Sequence, residues 1–135
     1  MDRVFLDANV LFSAAYRLDS RLTDLWSLTD TQLFTSLFAI EEARRNLAVH
    51  RPDAVSRLEG LLRGLMIVEG LDSYLPEGVE LDDKDAPILS AALRAGCTHL
   101  VTGDHQHFGA FFGCSIRGVL ILTPAQYLKS RVDRS

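Results

Sequence analysis

The feature that most constrains the fold is the alternation of short apolar runs with longer amphipathic segments. Short apolar runs are typical of buried strands, and four of them stand out along the chain: RVFL, QLFTS, LMIVEG and THLVTGD. Strands that alternate with helices favour a parallel sheet with helices on both faces. We therefore predict an α/β protein, a three-layer α/β/α fold around a central parallel sheet of four to five strands.

Helices are predicted between these strands from apolar spacing and from start and stop residues. In LFAIEEARRNLAVH, the residues Leu37, Ile40, Ala43 and Leu47 recur on one helical face. Apolar periodicity also predicts helices in NVLFSAAYR and LDSRLTDLWSLTD. Proline opens a helix and glycine closes one, which predicts further helices in PDAVSRLEGLLRG and APILSAALRAG. The tail adds one or two short strands and a last helix from Pro124.

Length and composition exclude several classes of protein. The 135 residues, 47% of them apolar and 24% charged, fit a single domain over residues 1–135. We expect no membrane segment, because no apolar run approaches the ~20 residues that a membrane helix needs. A start without a leader pattern and two cysteines outside any CxxC motif predict a cytoplasmic protein with reduced thiols. The net charge of −4 argues against nucleic-acid binding by a basic surface alone.

Acidic residues follow the strands where a binding crevice is expected. Asp7 ends the first strand and Asp104 follows the fourth, and ligands of such sheets bind beyond the carboxyl ends of the strands. Asp85 starts the helix before the fourth strand, and Glu42 lies on the helix after the second. These four carboxylates are candidates for one shared pocket.

A simpler interpretation exists for each acid alone. Asp7 and Asp85 are suited to cap the helices that follow them, and Asp104 is suited to an Asx turn. Glu42, next to Glu41, suits a solvated flank of its helix. Asp82 lies on the loose approach to the helix that contains Pro87, and we expect no role for it.

Charge repulsion favours a shared role for the four acids. Two charges ~5 Å apart repel by roughly 3 kcal/mol at an effective dielectric of ~20, and Lys84 is the only basic residue adjacent to any of the acids. Oxygen ligands without cysteine suit Mg²⁺ or Mn²⁺. A divalent metal would resolve the repulsion. His105 and His107 are a weaker candidate for a zinc pair, since no third histidine lies nearby.

Four segments together resemble the motif blocks of the PIN domain family: FLDANVLFSA, TSLFAIEEARRNL, DKDAPILSAAL and LVTGDHQHF, in this order over nearly the whole chain. The resemblance implies a small α/β/α fold and, as in many members, a metal-dependent ribonuclease, including VapC-type toxins of toxin–antitoxin pairs. By resemblance, the catalytic and metal-binding acids are Asp7, Glu42, Asp85 and Asp104. The supporting residues are Asn9, Asp83 and Thr102.

The implied activity is hydrolysis of RNA by an endoribonuclease that uses Mg²⁺ or Mn²⁺, with RNA as substrate and with an antitoxin protein and a second copy of the chain as partners. Arg44, Arg45 and Arg51 follow Glu42 and are candidates for RNA contact, although a solvated helix face explains them equally well. Two other functions stay open. One is a catalytically silent PIN-like module that binds nucleic acid or serves as a scaffold. The other is a receiver-like signalling domain, which the single acid of RVFLDAN and the absence of a lysine after the fourth strand make less favoured.

Overall fold

The computed structural model describes residues 1–69, 75–82 and 85–134. Six strands form one sheet: β1 (Asp2–Leu6), β2 (Thr31–Ser36), β3 (Met66–Val68), β4 (His99–Val101), β5 (Ser115–Ile116) and β6 (Val119–Leu122). Their order is β3-β2-β1-β4-β6-β5, with parallel neighbours throughout except for the antiparallel pair of β5 and β6. The predicted α/β fold with a mostly parallel sheet is confirmed.

Helices flank the sheet: α1 (Ala8–Tyr16), α2 (Leu37–His50), α3 (Val55–Leu62), α4 (Ala86–Arg94), α5 (His105–Phe108) and α6 (Pro124–Arg134). Short 3₁₀ turns span Arg21–Ser27, Pro52–Ala54 and Gly109–Phe111. In the central strand β1, Val4, Phe5 and Leu6 are fully buried, as expected for a strand covered on both faces. Among the described helices, none has both the length and the apolar character required to span a bilayer.

Five of the six strands run parallel, as predicted, and the sixth, β5, is one of the two short strands that the tail adds, where one or two were expected. It arises from a tight reversal between Ile116 and Val119. Arg117 has φ 48° and Gly118 has φ 86°, the two positive values that a type I′ hairpin turn needs. The turn folds two residues of the tail back against β6.

The segment LDSRLTDLWSLTD does not form the predicted helix; it forms a 3₁₀ turn over Arg21–Ser27. Its polar side chains bind nearby backbone instead: Ser20 Oγ accepts from Leu22 N at 3.3 Å, and Thr23 Oγ1 donates to Ser20 O at 2.7 Å. Such local bonds compete with a regular helix. Only Leu25 of the turn is buried, so packing provides little compensation.

Helix α2 has the predicted bounds, and Ser36 caps it by accepting from Ala39 N at 3.1 Å. Its buried face contains Ala39, Ile40, Ala43 and Leu47. Leu37, which we predicted on this face, is 47% exposed because it is the first residue of the helix, at its end beside β3.

The order of the strands places a crevice between β1 and β4. From β1 the chain moves outward through β2 to β3, and it then crosses to β4 on the other side of β1. The point where strand order reverses therefore lies between β1 and β4, where ligands bind in open sheets of this kind.

The last helix ties back to the start of the first strand. The buried Tyr127 donates its hydroxyl to Asp2 Oδ2 at 2.7 Å, and Arg134 Nη2 donates to the same oxygen at 2.8 Å. Arg131 bonds to Thr31 and to Asp2. These contacts lie where β1 and β2 begin, at the end of the strands opposite to the crevice.

Candidate metal centre

Asp7 lies at the end of β1 and is 3% exposed. Its carboxylate accepts hydrogen bonds from Ala8 N at 2.6 Å and from Thr102 Oγ1 at 2.8 Å. Asp7 therefore does cap α1, as the simpler interpretation proposed, and at the same time faces the crevice. Burial, together with the negative charges of Asp85 and Glu42, raises the pKa of Asp7 to about 6 against these hydrogen bonds.

Thr102 and Asn9 join the ends of β1 and β4. The fully buried Thr102 donates from Oγ1 to Asp7 and accepts from Asp104 N at 3.1 Å. Asn9 Nδ2 lies 3.3 Å from both Asp7 Oδ2 and Thr102 Oγ1, and Asn9 Oδ1 accepts from Gly103 N at 2.7 Å. A Cβ at position 103 would lie 3.2 Å from Asn9 Oδ1, so glycine permits this close approach. The network fixes the position of the Asp7 carboxylate.

Asp85 occupies the N-cap position of α4 but makes no capping hydrogen bond with its side chain. The residue is 6% exposed, and its Oδ2 is buried without a hydrogen-bond partner. Burial raises the pKa of Asp85, and the negative charges of Asp104, Asp82 and Glu42 add to the increase. The positive charge of His107 acts in the opposite direction but does not outweigh them. A simple capping role does not explain this side chain.

Asp104 caps the short helix α5. Its Oδ1 accepts from His107 N at 3.0 Å and its Oδ2 from His107 Nδ1 at 2.7 Å. Burial acts to raise the pKa of Asp104, but these bonds and the charge of His107 outweigh it and lower the pKa. The DHQHF segment, expected to be a polar turn, is instead one helical turn that holds His107 against Asp104.

Glu42 and its neighbour Glu41 differ in position. Glu41 is exposed and forms an ion pair with Arg44 at 2.8 Å. Glu42 is half-buried and lines a cleft of about 320 Å³ together with Asn9 and His50. Because its charge acts on both Asp7 and Asp85, Glu42 belongs to the acidic crevice and is not simply a solvated flank.

His107 lies among three carboxylates. Its Nε2 is 3.0 Å from Asp82 Oδ2, and its Nδ1 is 2.7 Å from Asp104 and 3.2 Å from Asp85 Oδ2. The single proton on Nδ1 goes to Asp104, the nearer acceptor with hydrogen-bond geometry, which leaves Asp85 Oδ2 without a donor. The hydrogen bond to Asp104 raises the pKa of His107. Partial desolvation opposes this increase, and the negative charges of Asp85 and Asp82 add to it.

Sequence reasoning considered His107 only as half of a weak zinc pair and gave Asp82 no role in the crevice. The ligand atoms of Asp82, Asp85 and His107 lie within 4.8 Å of one another and are suited to hold a metal ion. The three-residue step from Asp104 to His107 was the available signal, since it puts both on one face of a helical turn. The role of Asp82 depends on a tertiary contact and has no such signal. Asp83 lies outside the described residues.

The donor set fits a divalent cation. Carboxylate oxygens and one imidazole nitrogen are ligands for Mg²⁺-like and transition-metal ions, and the partnerless Asp85 Oδ2 is the kind of buried acceptor that a cation would satisfy. Asp7, Glu42 and Asp85 are coupled electrostatically, as are Asp85 and Asp104. All four lie around the crevice between β1 and β4.

The three arginines after Glu42 differ in the contacts that they make with other residues of the chain. Arg44 bonds to Glu41 at 2.8 Å and to Glu59 at 2.9 Å, so acids of the chain itself balance its charge. Arg51 lies 4.9 Å from the centre of the Tyr16 ring. Arg45 is exposed. The solvated-face interpretation is thus the better one for Arg44, whereas Arg45 is accessible to a ligand.

Comparisons with known proteins agree with this geometry. Residues 3–106 match the family model for the PIN domain. No curated protein sequence matches the chain. Among solved structures, VapBC2 from Rickettsia felis bound to a DNA fragment from their promoter is similar, with a TM-score of 0.67 at 19% identity over 90% of this chain and 98% of that one.

Two further structures share the fold. VapBC-1 from nontypeable Haemophilus influenzae has a TM-score of 0.56 at 13% identity and covers 91% of this chain and 98% of its own. FitAcB from Neisseria gonorrhoeae has a TM-score of 0.53 at 19% identity, and the match covers 90% of this chain and 98% of that one. At these identities the likeness concerns the arrangement of helices and strands.

Proposed function

Because the chain belongs to the PIN domain family, we propose that it is an endoribonuclease that hydrolyses RNA phosphodiester bonds with Mg²⁺ or Mn²⁺. The observation that carries the proposal is Asp85 Oδ2, a buried carboxylate oxygen without a hydrogen-bond partner, in a crevice with other acids. A buried carboxylate oxygen without a hydrogen-bond donor is costly unless a cation compensates it. Family membership also removes the ground for the receiver-like alternative.

In this proposal Asp7, Glu42, Asp85 and Asp104 would hold the metal. When bound there, a divalent ion would supply an activated water and would stabilise negative charge on the phosphate. Thr102 and Asn9 fix the direction of the Asp7 carboxylate through the hydrogen bonds described above. Asp83 is proposed as an outer support. Arg45, on α2, and Arg51, at the end of α2, are proposed to contact the RNA backbone.

The partners follow from the family and its solved relatives. We propose that an antitoxin protein binds this chain, because two of the similar structures are VapBC complexes. We also propose a homodimer and a cytoplasmic location. Both cysteines are free thiols, and burial raises the pKa of Cys97 to about 12, which fits a Cys97 thiol that stays protonated and unreactive.

The test is cleavage of a structured RNA pool by purified protein in Mg²⁺, in Mn²⁺ and in EDTA. We expect cleavage in either metal and none in EDTA. Asp19→Asn serves as the matched control, since Asp19 is an exposed acid outside the crevice, and it should cleave like wild type. Cleavage at full rate in EDTA would refute the metal mechanism, and no cleavage of any RNA would support the catalytically silent module.

A further inference from the structure

We propose that His107, Asp82 and Asp85 form a metal site with a nitrogen ligand, and that this site prefers a divalent transition-metal ion such as Mn²⁺ to Mg²⁺. The inference deepens the proposed function by naming the class of ion. Of the four acids considered above, Asp85 belongs to this site, and Asp82 and His107 are the two additional ligands.

The orientation of His107 is the first step. Asp104 accepts from the backbone nitrogen of His107 with one oxygen and from Nδ1 with the other. The proton therefore stays on Nδ1, and the lone pair of Nε2 points away from Asp104. Metal-binding histidines are held in this way by a carboxylate on their other nitrogen.

The partner of Nε2 is the second step. Nε2 lies 3.0 Å from Asp82 Oδ2, so with the only ring proton on Nδ1 two electron-pair donors face each other. That contact is favourable only if a cation lies between them or if Nε2 carries a second proton. Adjacent ligands of an octahedral ion with bond lengths of about 2.1 Å lie about 3.0 Å apart, which matches the observed separation.

The buried oxygen of Asp85 is the third step and is independent of the histidine tautomer. Asp85 Oδ2 is buried, has no hydrogen-bond partner and lies 3.2 Å from His107 Nδ1. All three ligand atoms lie within 4.8 Å of one another. A cleft of about 420 Å³, lined by Glu80, Asp82 and His107 among others, leaves room for water as the remaining ligands.

The preference for the ion follows from the nitrogen. Mg²⁺ takes oxygen ligands and keeps several waters, whereas imidazole suits transition metals. Loss of the imidazole should therefore weaken Mn²⁺ much more than Mg²⁺. Asp82 and Asp85 alone would not discriminate strongly between the two ions.

The test measures metal binding without RNA, so its result is independent of cleavage. Metal-free protein is titrated with Mn²⁺ at one fixed pH, and free Mn²⁺ is followed by electron paramagnetic resonance; Mg²⁺ affinity is obtained by competition. We expect His107→Gln and Asp82→Asn to weaken Mn²⁺ binding by about 10-fold or more, with a change below about 3-fold for Mg²⁺ in His107→Gln. His105→Gln is the matched control, because His105 packs against Phe112 instead, and it should bind like wild type.

Pulsed electron paramagnetic resonance identifies the ligand directly. Bound Mn²⁺ should show coupling to a ¹⁴N nucleus in wild type, in His105→Gln and in Asp82→Asn, and this coupling should disappear in His107→Gln. Circular dichroism checks that each variant is folded. If His107→Gln does not fold, Asp82→Asn still tests the site, because it changes only an exposed side chain. Absence of nitrogen coupling in wild type, or equal or tighter Mn²⁺ binding by His107→Gln, would overturn the inference. Tighter binding would mean that a protonated His107 blocks the site.

If RNA is not cleaved but the nitrogen-coupled Mn²⁺ is present, the proposed function fails and the metal site stands. If RNA is cleaved while the coupling is absent, the metal site fails alone.

Discussion

At the scale of single residues, Asp85 combines burial, nearby negative charges and an oxygen without a donor. We expect Asp85→Asn to lower metal-dependent cleavage by more than about 100-fold, since loss of outer partners alone costs 10–100-fold at metal sites. Without metal, the variant should melt at the same temperature as wild type or higher, because the change removes a charge and keeps the volume. Initial cleavage rates and thermal melts in EDTA measure both effects.

An active Asp85→Asn protein would remove Asp85 from the site. The comparison with Asp83→Asn sharpens the result, because Asp83 is proposed only as an outer support. We expect Asp83→Asn to keep part of the activity.

Thr102 permits a second test at this scale. Thr102→Val keeps the shape of the side chain but removes the hydroxyl that donates to Asp7 and accepts from Asp104 N. We expect a loss of about 1–3 kcal/mol in the free energy of unfolding, the usual result of leaving buried polar partners unsatisfied, together with slower cleavage. Denaturant unfolding and metal-dependent rates measure the two effects. Thr23→Val, in which the hydroxyl lost is remote from the crevice, is the control; equal rates for both variants would contradict a positioning role for Thr102.

The sequence was enough to predict where Asp7 and Asp104 lie, because each directly follows a strand and parallel strands bring their carboxyl ends to one edge. It was also enough to choose Glu42 through the resemblance, although not to distinguish its orientation from that of Glu41. Asp82 and His107 could not be paired from sequence. Their contact depends on how the approach to α4 packs against α5, and no local periodicity encodes that packing.

At the scale of elements, the contact of α6 with β1 makes stability depend on pH. Burial would raise the pKa of Asp2, but the hydrogen bonds from Arg134 and Tyr127 outweigh it and lower the pKa to about 2. A carboxyl group with a lowered pKa in the folded state stabilises the fold above its unfolded pKa of 3.8, and this contribution is lost as pH falls toward 2.

We therefore expect Asp2→Asn to reduce the free energy of unfolding by about 1–2 kcal/mol at pH 7. The difference from wild type should shrink between pH 4 and pH 2. Urea denaturation across this range is the measurement. Asp19→Asn provides the reference for an exposed acid. A penalty that stays constant down to pH 2 would show that the charge of Asp2 is not the cause.

Element prediction succeeded where one pattern dominated and failed where local chemistry competed with it. The bounds of α2 follow from a cap at Ser36 and regular apolar spacing. Residues 21–27 carry the same kind of spacing, but Ser20 and Thr23 bond to adjacent backbone and shorten the segment to a 3₁₀ turn. The strand β5 depends on the positive φ of Arg117, a conformation that the residue type does not suggest.

At the scale of the whole molecule, β3 forms one edge of the sheet and exposes apolar side chains. Met66 is 51% and Ile67 45% exposed, and Leu37 beside them is 47% exposed. An open edge strand with apolar side chains favours association with another chain. We expect wild-type protein to sediment above the mass of the 15.0 kDa chain at micromolar concentration, and Ile67→Lys to shift the population toward the single chain.

Leu18→Lys is the control for that experiment, because Leu18 is also exposed but lies in the loop after α1. If both variants behave like wild type, self-association either does not occur or uses another surface. A wild-type mass of 15.0 kDa throughout the range would refute the homodimer.

The bond between Asp2 and Arg134 has a practical consequence for anyone who attaches something to this chain. Both residues lie where β1 begins, and the five residues of β1, at about 3.3 Å each, separate that point from the acidic crevice. A fluorophore, a surface linker or a reporter joined beside Asp2 or Arg134 would therefore leave the crevice open to solution. Because Asp2 and Arg134 are in contact, a short peptide that joins these two positions would also permit a circularly permuted form, with a new opening cut in an exposed loop.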